Sequence, residues 1–236
     1  MVATTVPQAR LLAGLAQLIE SRWLPDRVLR VAIDGPDAAG KSTLADALAA
    51  RLAGETAGTR EPIRVSIDDF HHSRDVRYRR GHLSPEGYVE DSFDYDAVRR
   101  LVLGPLAPGG SRWYRPAAFS YRAETPCVPP LRRAAREAVL LFDGVFLLCA
   151  ELRDHWDLHI FVDVSPDEAL RRALERDVES LGGAVGVRER YRRRYLPGQQ
   201  IYRAAASPEA TADVVIDNTD PARPRVLTWP GTFPSR

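Results

Sequence analysis

The chain has 236 residues, 44% hydrophobic and 28% charged, which suits one α/β domain with a sizeable core and excludes global disorder. Lys plus Arg number 33 against 32 Asp plus Glu, so no overall field draws the chain to nucleic acid. The two cysteines, Cys127 and Cys149, lack ligand spacing and no apolar run reaches membrane-spanning length, so a reducing cytoplasm fits, with no disulfide, zinc site or membrane span.

Within 1–28, Leu11, Leu12, Leu15, Leu18 and Ile19 recur at helical spacing, which predicts an amphipathic helix in place of a signal peptide. The apolar run Leu29–Asp34 then predicts a strand, followed by Gly35-Pro36-Asp37-Ala38-Ala39-Gly40-Lys41-Ser42 and the helical pattern Lys41–Leu52. That string fits G-x-x-x-x-G-K-[ST] in the strand–loop–helix setting the motif requires. Glycines let successive N–H groups turn inward around a phosphate, and the helix N-terminus adds the positive end of its dipole. Residues Gly35 to Thr43 are therefore candidate nucleotide-binding residues, with Lys41 on the β- and γ-phosphates of ATP and Ser42 on Mg²⁺. Lys41 is also the sole lysine of the chain, and a compact ammonium survives in an arginine-rich sequence where guanidinium is a poor substitute.

A second strand at Ile63–Ile67 runs into Asp68-Asp69-Phe70 and His71, placing carboxylates at a strand end, beside the cradle in a right-handed βαβ unit. Asp68 is the candidate catalytic base for an acceptor hydroxyl; Asp69, Phe70 and His71 are candidate acceptor contacts. Turn-capping carboxylates are the alternative. Residues 71–130 lose periodicity apart from a helix at Tyr95–Leu103 and predict an acceptor-binding insertion. Seven of the 19 aromatic residues fall between Tyr88 and Tyr121, and Asp94, Tyr121 and Arg122 are candidate acceptor contacts there; a small core under the insertion is the competing use of the aromatics.

Strands at Ala138–Asp143, Leu158–Val164 and Asp213–Asp217 complete a mostly parallel five-stranded sheet, and Asp143, at a strand end, is the second candidate Mg²⁺ ligand beside Ser42. Asp34 and Asp163 also end strands, where ligands gather, though Asp34 could equally order the turn. A helix at Pro166–Leu181 opens on a capping box at Ser165 and Glu168. Its Arg171, Arg172 and Arg176, then Gly182, Gly183 and Gly186, then Arg188, Arg190 and Arg192 to Arg194 on a helix at Val187–Ala206 predict an arginine lid, with Arg172 and Arg176 as candidate catalytic residues. Solvated faces paired to Glu are the alternative for each single arginine.

The cradle, Asp68-Asp69-Phe70, Ser92-Phe93-Asp94-Tyr95-Asp96, Phe142-Asp143-Gly144-Val145-Phe146, Phe161-Val162-Asp163 and Arg171-Arg172-x-x-x-Arg176-Asp177 occur in the order seen in uridine kinases, nicotinamide riboside kinases and phosphoribulokinases, and Leu29 to Asp217 resembles that family. The resemblance implies Asp68 as base, Asp94 as a nucleoside contact, Asp143 as strand-end acid, and Arg172 and Arg176 in the lid. Uridine kinases carry Asp-Ser-Phe and Glu-Gly where this chain has Asp68-Asp69-Phe70 and Asp143-Gly144. The fold expected is a three-layer α/β/α P-loop domain over 1–236: helix (1–28), cradle and base (29–70), insertion (71–130), strand-end acid and lid (131–220), and a tail (221–236). The expected reaction is transfer of the ATP γ-phosphoryl group to a small alcohol, foremost the 5′-hydroxyl of a nucleoside such as uridine or cytidine. Nicotinamide riboside, pantothenate or a sugar phosphate as acceptor, and a regulatory P-loop NTPase, are the alternatives. Oligomeric state, a homo-oligomer included, stays open.

Overall fold

The computed structural model describes residues 3–55 and 60–234, so the outermost positions of the expected N-terminal segment and tail lie outside the described residues. Labels in chain order are β1 (Thr4–Thr5), α1 (Gln8–Arg22), β2 (Leu29–Asp34), α2 (Lys41–Glu55), β3 (Pro62–Ser66), α3 (Pro85–Asp91), β4 (Val139–Asp143), β5 (Leu158–Asp163), α4 (Pro166–Arg176), α5 (Gly183–Arg190), α6 (Leu196–Ala206), β6 (Val214–Asp217) and β7 (Arg225–Thr228).

The central sheet runs β1-β7-β6-β5-β2-β4-β3. The five strands expected from sequence, β2 to β6, are all parallel to one another. β7 and β1 extend the sheet as an antiparallel edge, so the expected tail contributes the strand Arg225–Thr228 to it. β4 lies between β2 and β3, so Asp68 does not sit on the strand next to the cradle as expected; the strand bearing Asp143 intervenes.

Side chains on a strand alternate between faces, and both faces of β2, β4, β5 and β6 are covered, so these strands read as mostly apolar runs, whereas edge strand β3 alternates Ile63 and Val65 with Arg64 and Ser66. Leu29, Val31 and Ile33 of β2 join Val139 and Leu141 of β4 in a core under α1, α2 and α4. Ala32, Leu140 and Phe142 face the other way, into a second core with Phe70, Phe93, Val98, Val102, Phe146 and Tyr202. The result is the three-layer α/β/α P-loop architecture. Among the described residues no helix is long and apolar enough to cross a membrane.

Two helices end differently from their sequence pattern. α4 stops at Arg176, short of the expected Leu181, and the chain turns through Gly182 and Gly183, both in the left-handed region at φ 78° and 89°. The following helix runs from Gly183 to Ala206 but widens into a π turn at Tyr191–Tyr195. Pro197 lacks an N–H for the carbonyl four residues earlier and its ring would strike it, so the wider turn absorbs a local conflict.

Candidate active site

The cradle begins where the chain leaves β2 tight against β5. A Cβ on Gly35, at φ 146°, would lie 2.0 Å from the Val162 carbonyl oxygen, so only glycine lets the chain leave the strand here. Asp34 is fully buried; its Oδ1 accepts from the Gly35 amide at 2.7 Å and its Oδ2 accepts from the Tyr202 hydroxyl. Of its two readings, Asp34 takes the turn-ordering one, and burial raises its pKa above the usual carboxylate range. Asn218 Nδ2 donates to the Ala39 carbonyl at 2.7 Å, bracing the loop from the β6 side. Asp163 accepts from Arg203 at 2.5 Å and lines neither cleft described below.

Lys41 is buried at the head of α2, and its Nζ donates to the Pro36 carbonyl at 2.6 Å inside the loop. Burial pulls its pKa down, and the carboxylates of Asp37, Asp34, Asp68 and Asp143 oppose that pull. Beside it the Ser42 hydroxyl donates to Asp143 Oδ2 at 2.5 Å. Asp143 is 1% exposed, and its other oxygen accepts from Arg64 Nη2 at 2.8 Å. Arg64 also donates to the Leu141 carbonyl, so a β3 side chain fixes the rotamer of the β4 carboxylate. Nothing in the sequence distinguished Arg64 from any arginine alternating on a strand.

Asp68 sits in the one-turn 3₁₀ helix Ile67–Phe70, started by Ser66, whose Oγ accepts from the Asp68 amide. This turn lies tight on β4: a Cβ on Gly144 would fall 2.3 Å from Ile67 Cγ2. Water reaches Asp68 through the cleft, yet protein walls it closely, and this desolvation raises its pKa to about 6. Lys41 pulls against the shift, whereas Asp37 and Asp143 add to it. The carboxyl therefore titrates where a proton acceptor must.

Two clefts meet at the cradle. One, of about 310 Å³, is bounded by Asp37, Lys41, Ser42, Asp68 and Asp143 on one side and by His71, Tyr88, Phe93, Tyr121, Tyr191 and Tyr195 on the other. The second, of about 430 Å³, lies behind the loop between Gly40, Thr43, Leu44, Arg172 and the 216–224 segment, with Gln8 and Leu11 of α1 closing it. Ala38 and Arg176 line both. In the first cleft the His71 ring lies between Phe93 and Tyr121, with centroids 4.5 and 4.6 Å away, and burial lowers its pKa to about 4, so the imidazole is neutral at physiological pH.

The expected acceptor contacts divide. His71 and Tyr121 line the first cleft. Phe70 does not: it is fully buried and packs on Phe142 because it is the inward residue of its turn. Asp94 caps the helix Tyr95–Val98, accepting from the Ala97 amide at 2.8 Å, and Asp69 and Arg122 are exposed; none of the three lines either cleft. The expected bank of lid arginines divides likewise. Arg172 donates to the carbonyls of Ala38, Asn218 and Thr219 and to Glu168, which makes it a clamp behind the loop. Arg194 is buried on the Ser84 carbonyl, Arg190 donates to the Tyr78 hydroxyl, and Arg171 and Arg193 pair with glutamates on helix faces. Arg176, bidentate with Asp177 at 2.7 and 2.9 Å, is the arginine of this group that reaches the first cleft.

The sequence model of the phosphoribulokinase / uridine kinase family matches residues 30–218. Uridine kinase of Escherichia fergusonii is 31% identical over 160 residues, 66% of this chain and 71% of that one. Uridine kinase of Escherichia coli strain K12 is 32% identical over 165 residues with the same shares. The solved structure described as "a Possible Uridine Kinase" from Bacillus stearothermophilus superposes with a TM-score of 0.66 at 19% identity, over 88% of this chain and 97% of that one.

Proposed function

The chain belongs to the phosphoribulokinase / uridine kinase family and is a P-loop small-molecule kinase, and on that premise we propose that it moves the γ-phosphoryl group of ATP to the 5′-hydroxyl of a nucleoside such as uridine or cytidine. The observation that carries this reading is the meeting of two clefts at the cradle, with Asp68 on the aromatic side and Arg176 at the junction. The nucleotide occupies the rear cleft, its phosphates inside the loop. The acceptor's planar base stacks among His71, Phe93 and Tyr121, and Asp68 takes the hydroxyl proton late in a loose transition state. Arg176 stabilises charge on the transferring group.

Ser42 and Asp143 offer hard oxygen donors, and among the described residues no three His, Cys, Asp or Glu converge into a metal cage of their own. That donor set fits Mg²⁺, which keeps water and phosphate oxygens as its remaining ligands. Bound there, the ion would neutralise charge on the β- and γ-phosphate oxygens.

The test is ADP release from ATP with uridine, cytidine, nicotinamide riboside, pantothenate and sugar phosphates in turn. Uridine or cytidine should give the highest kcat/KM. A preference for pantothenate or a sugar phosphate would replace the nucleoside by another alcohol, and hydrolysis indifferent to all of them would remove the transferase reading.

A further inference from the structure

A carboxylate is an awkward occupant of a phosphate cradle, because it repels the polyanion the cradle is shaped for. Asp37 is such a residue, third in the loop that opens at Gly35. Its Oδ2 accepts from the Tyr88 hydroxyl at 2.6 Å. Tyr88 belongs to α3, on the far wall of the aromatic cleft, packed against Phe146 and Tyr195 at 4.9 and 5.0 Å between centroids. The bond holds the Asp37 carboxylate on the acceptor side, where it lines the first cleft and is absent from the lining of the second. Among the described residues its Oδ1 takes no hydrogen bond.

The other carboxylates of this cleft are committed. Asp143 is held by Ser42 and Arg64, both oxygens of Asp177 are paired with Arg176, and Asp68 serves as the proposed base. Asp94, the family's nucleoside contact by resemblance, caps a helix and does not line the cleft. Besides the base, an acceptor bearing several hydroxyls therefore meets one unpaired carboxylate oxygen in the same cleft. Asp37 and Asp68 line the same cleft beside Lys41 and Ser42, so a group bound to Asp37 shares that cleft with the reacting hydroxyl. On a ribose attacking through its 5′-oxygen, that group is the 3′-hydroxyl, fewer bonds away than the 2′.

We propose that the Asp37 side chain, held by Tyr88, accepts a hydrogen bond from the 3′-hydroxyl of the acceptor ribose and so selects acceptors that carry it. The assignment rests on the nucleoside reading above. It makes the third cradle residue serve both substrates: its backbone serves the nucleotide, its side chain the acceptor.

The experiment compares kcat/KM for uridine and 3′-deoxyuridine, and for the cytidine pair, in the wild type, Asp37→Ala, Asp37→Asn and Tyr88→Phe. A hydrogen bond to a charged acceptor is worth roughly 10–100-fold in discrimination. The wild type should prefer the 3′-hydroxyl compound by about that factor, and Asp37→Ala should bring the ratio close to one, chiefly through loss on the hydroxylated acceptor. Asp37→Asn, which keeps an acceptor oxygen, should restore part of the ratio, and Tyr88→Phe should lower it severalfold. A purely structural role for Asp37 would slow both acceptors alike and leave the ratio intact, overturning the assignment. A wild type that ignores the 3′-hydroxyl overturns it too. If no nucleoside is phosphorylated, the nucleoside reading falls and takes the assignment with it; nucleoside turnover with an Asp37-independent ratio removes the assignment alone.

Discussion

The Tyr202 hydroxyl donates to Asp34 and itself accepts from the Leu148 amide at 3.0 Å, so the helix after the lid, the strand before the cradle and the loop after β4 share one buried oxygen. Removing that oxygen leaves a buried carboxyl and a buried amide short of a partner, at a cost of about 1–3 kcal/mol. Tyr202→Phe should lower stability by that amount in urea titration. An unchanged midpoint would mean that water replaces the hydroxyl without loss.

Asp68→Asn should reduce acceptor phosphorylation by roughly 10²–10⁴-fold, the usual worth of a positioned proton acceptor, while ATP still binds by fluorescence titration. Retained turnover would assign the proton elsewhere.

The same carboxyl sets a pH dependence. Its pKa is raised to about 6, so above that pH it is ionised and able to accept a proton, and below it the protonated fraction grows. Acceptor kcat/KM should fall about tenfold per unit below pH 6 and level off above it. His71, lowered to about 4, contributes no step between pH 5 and 8. A profile flat from pH 5 to 8 would contradict the role of Asp68.

Arg64 reaches the nucleotide site through Asp143, so its loss should act on the cation first. Arg64→Leu should raise the Mg²⁺ concentration for half-maximal activity by about tenfold or more, as expected when a ligand loses its orienting partner. An unaltered Mg²⁺ dependence would show that Ser42 alone fixes Asp143.

Two arginines four residues apart should fail in different ways. Arg176→Ala removes the guanidinium at the junction of the clefts and should lower kcat by on the order of 10³-fold. Arg172→Ala releases the carbonyls of Ala38, Asn218 and Thr219 and should raise the KM for ATP by about tenfold, with the smaller effect on kcat. Identical profiles for both variants would contradict the separation of clamp from junction.

The cradle was legible because its information is contiguous: one string sets the backbone curl, the ammonium and the hydroxyl. The inner parallel strands were legible because burial on both faces leaves mostly apolar runs. What the sequence hid depends on direction in space. Asp69 and Phe70 are adjacent in a turn, and their spacing does not reveal that one faces solvent and the other the core. The lid arginines share a charge and a region, and only their partners separate Arg176 from the buried Arg194. Tyr88 and Arg64 act across 51 and 79 positions on Asp37 and Asp143, a pairing that no local pattern encodes. The strand order, with β4 between β2 and β3, likewise comes from packing and not from sequence proximity.

Gln8 and Leu11 from before the family match and Pro221 and Pro224 from after it wall the rear cleft, whereas Lys41, Asp68 and Arg176 all lie inside it. With the nucleotide in the rear cleft, as proposed, changes in those flanks should alter which nucleotide is accommodated without touching the proposed phosphoryl-transfer groups. On that reading donor choice and bond-making chemistry should be separable, and grafting the flanks onto a relative should move the first without the second.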